Sequence, residues 1–170
     1  MRKYLLVLIA ATALATSCKR KKEPIVFSND ADQTIGWVNY HTVKADANAH
    51  SGGYVSLTDT VNQYSLTLKQ KLSDVTKTGA DKASVHVWVK PMGASPKACL
   101  IVSVDAPDKN YMWQCLPVES IAKEANKWTE IAYKVKLPAD APENAHVSVY
   151  IWNTSKEQLL IDDMEVRFEN

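Results

Sequence analysis

Ala83-Ser84-Val85-His86-Val87-Trp88-Val89-Lys90 alternates without a break, so Val85, Val87 and Val89 share one face and Ser84, His86 and Trp88 the other. A helix would scatter these valines around its girth, whereas a strand gathers them on one side. The same period of two runs outward through the chain. Leu100, Val102 and Val104 lie opposite Cys99, Ile101 and Ser103; Met112 and Leu116 lie opposite Tyr111, Trp113 and Cys115. Val147, Val149 and Ile151 lie opposite His146, Ser148, Tyr150 and Trp152. In each case the aliphatic row is the natural core face.

Strands are therefore expected at Ile25–Ser28, Val38–Val43, Tyr54–Thr58, Gln63–Leu72, Ala83–Lys90, Ala98–Val104, Asn110–Leu116, Trp128–Leu137, Ala145–Trp152 and Leu159–Phe168. Segments rich in Asp, Asn, Gly, Pro or Ala separate them. Only Val118–Asn126 reads as briefly helical. Tyr64, Leu66 and Leu68 read as one core row, Trp37 as an anchor for the N-terminal strand, and Trp128 as a cap on one end of the core. Many short strands at this spacing point to an all-β, two-sheet antiparallel β-sandwich of jelly-roll type. No composition shift divides residues 25–170, which read as one domain.

The chain begins differently. Met1, Arg2 and Lys3 precede a short apolar run from Tyr4 to Ala15, and Leu14-Ala15-Thr16-Ser17-Cys18 brings small residues up to a cysteine. The apolar run is too short for a spanning helix, which needs about 20 residues. Residues 1–17 thus read as a lipoprotein signal and Cys18 as the lipidated first residue of the mature chain. An ordinary secretory signal cleaved elsewhere is the alternative. Lys19, Arg20, Lys21 and Lys22 make residues 18–24 a basic tether, suited to anionic lipid. Without Arg2 and Lys3, the 20 basic residues fall to 18 against 19 acidic ones. No basic stripe continues beyond the tether, so nucleic acid is not an expected partner. The expected location is outside the cytoplasm, lipid-anchored to the outer membrane on its periplasmic or its surface face.

An exported chain permits a disulfide. A hairpin folded about Pro107 sets Cys99 opposite Cys115, near enough for a bridge; two reduced cysteines side by side are the alternative.

The aliphatic rows leave His86, Trp88, Tyr111, Trp113, Tyr150 and Trp152 on the other faces. Flat indole and phenol rings suit the C–H faces of sugars, while nearby imidazoles and hydroxyls can orient sugar hydroxyls. The six residues are thus candidates for a shallow groove that binds an oligo- or polysaccharide. Burial beneath loops, or a patch for another envelope protein, would employ the same residues. Catalytic motifs are absent: no His-Glu-x-x-His, no Gly-x-Ser-x-Gly, and five glycines in all. Asp105 and Asp108 flank one turn, and Asp162 and Asp163 fall on opposite faces of a regular strand. Neither pair reads as an acid and base across a cleft. A non-catalytic role is expected.

Four stretches carry a family likeness: Ile35-Gly36-Trp37, His50-Ser51-Gly52-Gly53-Tyr54-Val55-Ser56-Leu57, Val85-His86-Val87-Trp88-Val89-Lys90, and Leu160-Ile161-Asp162-Asp163-Met164-Glu165-Val166. Trp128-Thr129-Glu130-Ile131 adds a tryptophan-led strand. In this order they resemble carbohydrate-binding modules and related galactose-binding-like jelly rolls. The resemblance implies adjacent chain ends and a sugar site on a concave sheet or in end loops. It also implies a structural calcium, whose ligands would match Asp30, Asp32 and Asp162; no other cofactor is implied. The simpler account gives Asp162 and Asp163 turn or edge roles. The signal is similar to those of Bacteroidetes lipoproteins, although Lys19–Lys22 stand where acidic residues are usual on surface-displayed members.

Overall fold

The valine row of residues 85–89 lies between two antiparallel sheets. The structure, a computed structural model, describes residues 22–93, 96–155 and 157–170. Its strands are β1 (Ile25–Asn29), β2 (Trp37–Val38), β3 (Val43–Ala45), β4 (Tyr54–Thr58), β5 (Thr67–Lys71), β6 (Lys82–Pro91), β7 (Ala98–Ala106), β8 (Lys109–Pro117), β9 (Thr129–Lys136), β10 (His146–Asn153) and β11 (Leu159–Glu169). One sheet runs β3-β4-β11-β6-β9, with β1 also paired to β11; the other runs β2-β5-β10-β7-β8. This is the two-sheet jelly-roll sandwich read from the alternation.

The core fills the space between the sheets. Val85, Val87 and Val89 of β6 join Ile131 of β9, and Val166 and Phe168 of β11, from one side. Leu68 of β5, Leu100, Val102 and Val104 of β7, and Val147, Val149 and Ile151 of β10 close it from the other. Each such side chain contributes about 1.5–3 kcal/mol by leaving water. The first and last strands are neighbours, Ile25 pairing with Phe168.

Several local expectations change. The strand expected at Val38–Val43 breaks at Asn39, whose left-handed backbone (φ 61°) leads into a 3-10 turn at Tyr40–Thr42. Val118–Asn126 yields only a 3-10 turn at Val118–Ser120, while a short helix α1 (Leu72–Thr76) follows β5 directly. The strand expected from Gln63 starts at Thr67, because the backbone before it is diverted. Ser65 Oγ accepts from Ile151 N at 2.9 Å, and Leu66 N donates to Ser56 Oγ at 2.8 Å. That interruption rotates Tyr64 off the row of Leu66 and Leu68, and it emerges 47% exposed.

The β11 strand is not regular either. Its pairing with β6 shifts between Asp162 and Glu165, and Asp163 takes a positive φ of 46°. At this bulge the edge of β11 passes from β4 to β1. Asp162 and Asp163 therefore do not alternate; both engage the same loop, as described below.

Candidate functional site

Four rows cross the outer face of the β2-β5-β10-β7-β8 sheet. Lys71, His146 and Asp105 are paired in the first; Lys69, Ser148, Ser103 and Trp113 in the second. Tyr150, Ile101 and Cys115 form the third; Tyr64, Trp152, Cys99 and Pro117 form the fourth. One end of this face is thus polar and the other aromatic. Strand pairing alone produces the division, since neighbouring strands place every second residue on the same side.

The aromatic end is continuous. The Trp113 and Trp152 rings meet edge to face at 6.0 Å, Tyr64 lies nearly parallel to Trp152 at 6.4 Å, and Tyr64 meets Tyr150 at 5.8 Å. Such separations lie within the range of favourable ring contacts. Trp113 is 46% exposed, and Tyr64 is exposed to a similar degree. Ile101 and Ser103, although on the outer face, are buried among the surrounding larger side chains. Burial pushes the Tyr150 hydroxyl above its usual pKa, opposed by hydrogen bonds with Trp113 and Ser103, with the Asp105 charge raising it further. Among the described residues, Trp152 Nε1 is buried without a hydrogen-bond partner. Leaving a buried donor unpaired costs about 1–3 kcal/mol.

Cys99 and Cys115 are bridged, with Cα atoms 5.4 Å apart. They are not directly opposite: Cys99 faces Pro117 and Cys115 faces Ile101. The hairpin is not symmetric about Pro107: its turn pairs Ala106 with Lys109, and the pairing shifts again between Val104 and Asp105. The bridge therefore links diagonal neighbours and ties β8, the strand carrying Trp113, to β7.

The six candidate residues do not form one groove. Trp113, Tyr150 and Trp152 come together, and Tyr64 joins them. Tyr111 lies at the irregularity in the β7–β8 pairing and packs half-buried against the core, with Lys109 Nζ 4.4 Å from its ring centre. His86 and Trp88 belong to β6, in the other sheet, so His86 and His146 are far apart in topology. His86 Nδ1 lies 3.0 Å from Glu130 Oε1. Trp88 is half-buried beneath His50, the two rings stacked at 3.9 Å, and Trp128 meets His50 edge to face at 5.7 Å. Trp128 Nε1 donates to Asn48 O at 3.0 Å, so this ring holds a loop on the outer face and does not cap the core.

The loop of residues 46–53 that covers Trp88 is fastened by acidic residues. Asp162 Oδ2 accepts from His50 N at 2.9 Å and Ser51 N at 3.1 Å, while its Oδ1 accepts from Asp163 N at 2.8 Å. Asp163 meets His50 Nδ1 at 2.5 Å and accepts from Ser51 Oγ at 2.6 Å. Asp32 accepts from Gly53 N at 3.2 Å. Gly52 has φ 56°, and a Cβ there would collide with Asp32 Oδ2. Burial pushes the Asp162 carboxyl up to about 6, aided by the charge of Asp163 and opposed by its backbone donors.

These bonds bear on calcium. Asp30 Oδ1 accepts from Asp32 N at 3.1 Å, so Asp30, Asp32 and Asp162 all accept backbone N–H groups. Among the described residues, no three His, Cys, Asp or Glu side chains are grouped to hold a metal ion. Calcium requires six to eight oxygen ligands. A calcium ion at Asp30, Asp32 and Asp162 would need further oxygens, such as backbone carbonyls, to complete its shell.

No protein-family model matches the chain, and no curated protein matches it in sequence. Solved structures do resemble it. The CBM22-1 xylan-binding domain from Paenibacillus barcinonensis Xyn10C superposes with a TM-score of 0.55 at 19% identity, covering 88% of this chain and 97% of its own. The C-terminal family 22 carbohydrate binding module of Clostridium thermocellum Xyn10B gives 0.55 at 12% identity, over 85% and 92%. A structure described as family 16 carbohydrate binding module 2 gives 0.53 at 17% identity, over 78% and 91%. At these identities the likeness is one of fold.

Proposed function

We propose that the outer face of the β2-β5-β10-β7-β8 sheet binds an oligo- or polysaccharide without cleaving it. The observation carrying this reading is the run of Tyr64, Tyr150, Trp152 and Trp113 in adjoining rows, with two of the rings nearly half exposed. Ring faces supply apolar area for sugar C–H groups; Ser148 and His146 extend the face with groups able to bond hydroxyls. The fold shared with xylan-binding domains makes a glycan the first ligand to test. Binding without turnover agrees with the carboxylates present. Asp105 is the carboxylate in these rows, and its two oxygens accept from Ser103 Oγ at 2.7 Å and Asn110 Nδ2 at 2.5 Å. A glycosidase needs two carboxyls set across the scissile bond.

In the same reading the chain is exported and held to the outer membrane through lipid on Cys18. That residue and the signal before it lie outside the described residues; the support is the sequence itself, and the bridge of Cys99 and Cys115 suits an oxidising compartment.

Calorimetry of the soluble domain against a panel of neutral and acidic oligosaccharides tests the site. Trp113→Ala is expected to weaken binding by at least about tenfold while the circular dichroism spectrum stays unchanged. Saturable binding that survives both Trp113→Ala and Trp152→Ala would move the site elsewhere. Absence of any glycan binding, with a stoichiometric envelope protein recovered through the same face, would replace the sugar by a protein partner.

A further inference from the structure

The polar end of the same face carries a charge pattern that plain sugar stacking does not use. Lys69, Ser148 and Ser103 lie in one row and Lys71, His146 and Asp105 in the next. Lys69, Asp105, His146 and Ser148, with the turn at Ala106 and Pro107, line a cavity of about 240 Å³. Asp105 is the anion here, and internal hydrogen bonds from Ser103 and Asn110 hold it on the β7–β8 side. Lys69 and Lys71 stand on the opposite side, on β5. Neither joins any ion pair among the described residues, which involve Lys82, Lys127, Lys134, Arg167, His50 and His86. The Lys69 ammonium and the His146 imidazole thus line a concave space with one carboxylate whose oxygens already accept hydrogen bonds, and Lys71 stands beside it, paired with His146.

We infer that the glycan bound by this face carries an acidic sugar, with a carboxylate or sulfate group seated at the Lys69–Lys71–His146 end. The inference rests on the glycan reading above and narrows its substrate class. From His146 to Trp152 the β10 strand spans roughly 20 Å at 3.3–3.4 Å per residue, longer than one sugar. A chain of several sugars lying along β10 places one ring on the aromatics and an anionic neighbour beside the lysines. A compact ammonium group binds such an anion by charge and up to three hydrogen bonds. Asp105 remains available to accept from a sugar hydroxyl, which sets the orientation of the chain.

Matched probes test the charge alone. Glucuronoxylan fragments are compared by calorimetry with their carboxyl-reduced form, and sulfated galactan fragments with their desulfated form. The expected result is about tenfold tighter binding of the acidic member in at least one pair. Lys69→Gln should erase most of that advantage while leaving affinity for the neutral member within about twofold, and added salt should weaken the acidic member more. The pair that responds names the anionic group. Equal binding within both pairs, or an advantage untouched by Lys69→Gln together with Lys71→Gln, overturns the inference while leaving the glycan site in place. Failure of all four probes, together with the wider oligosaccharide panel, removes the glycan reading itself.

Discussion

Replacing Asp162 by Asn should change how stability depends on pH. Asp162 is 2% exposed and its carboxyl is raised from 3.8 to about 6. The folded chain therefore holds this proton more tightly than the unfolded chain does. Well below pH 3.8 both states are protonated, and the contribution is fully present. As pH rises the unfolded state ionises first, so stability falls until the folded carboxyl also ionises near pH 6. A shift of about 2 units corresponds to roughly 3 kcal/mol at 1.36 kcal/mol per unit. Asn resembles the neutral acid in shape and cannot ionise. It turns an amide toward one of the N–H donors of His50, Ser51 or Asp163, so the variant is less stable at low pH by a fixed amount. Urea unfolding of both proteins from pH 3.5 to 7.5 gives the test, read as the difference between them. Wild type should lose about 2–3 kcal/mol relative to Asp162→Asn between pH 4 and 7. A constant difference across that range would refute the reasoning, because the burial of Asp162 would then leave its ionisation unperturbed.

Other outcomes follow from single contacts. Replacing Cys99 and Cys115 together by Ala opens a cross-link between residues 16 apart in sequence, and should lower stability by about 3 kcal/mol in denaturant titrations under oxidising conditions. Gly52→Ala combines a positive φ with a collision against Asp32, and should cost about 1–3 kcal/mol, seen as a lower melting temperature. Trp152→Phe removes the unpaired indole N–H, so its stability loss should be smaller than that of Trp152→Ala by more than the difference in buried area, when both are compared in urea. Because the acidic residues near the 46–53 loop accept N–H donors, EDTA should leave the melting temperature within about 1 °C; a rise of several degrees with millimolar calcium would show a bound ion.

The core was legible because strand alternation is strict where both neighbours are regular. Val85, Val87 and Val89, and likewise Val147, Val149 and Ile151, have one period and one environment. What alternation cannot report is which sheet a strand joins. His86 and Trp88 share a parity with Tyr150 and Trp152, yet β6 pairs with β11 and β9, while β10 pairs with β5 and β7. Alternation sets His86, Trp88, Trp113, Tyr150 and Trp152 apart from the aliphatic rows but does not sort them between two outer faces, and Tyr111 packs partly against the core. Tyr64 was hidden for a different reason: hydroxyls of Ser65 and Ser56 take backbone bonds that a regular ladder would use, and the parity changes there. A serine inside an apolar run was the available signal. The fastening of the 46–53 loop had one too, since Gly52-Gly53 and Asp162-Asp163 are the residue types that turns and bulges require, but their 110-residue separation left the pairing undetermined.

The pairing of Ile25 with Phe168 has a practical consequence. With the two ends of the sandwich side by side, a short peptide can join them and the polypeptide can be reopened at the Pro107–Asp108 turn, giving a circular permutant. The same adjacency allows the whole sandwich to be inserted as a cassette into an exposed loop of a host protein, with both junctions leaving from one corner.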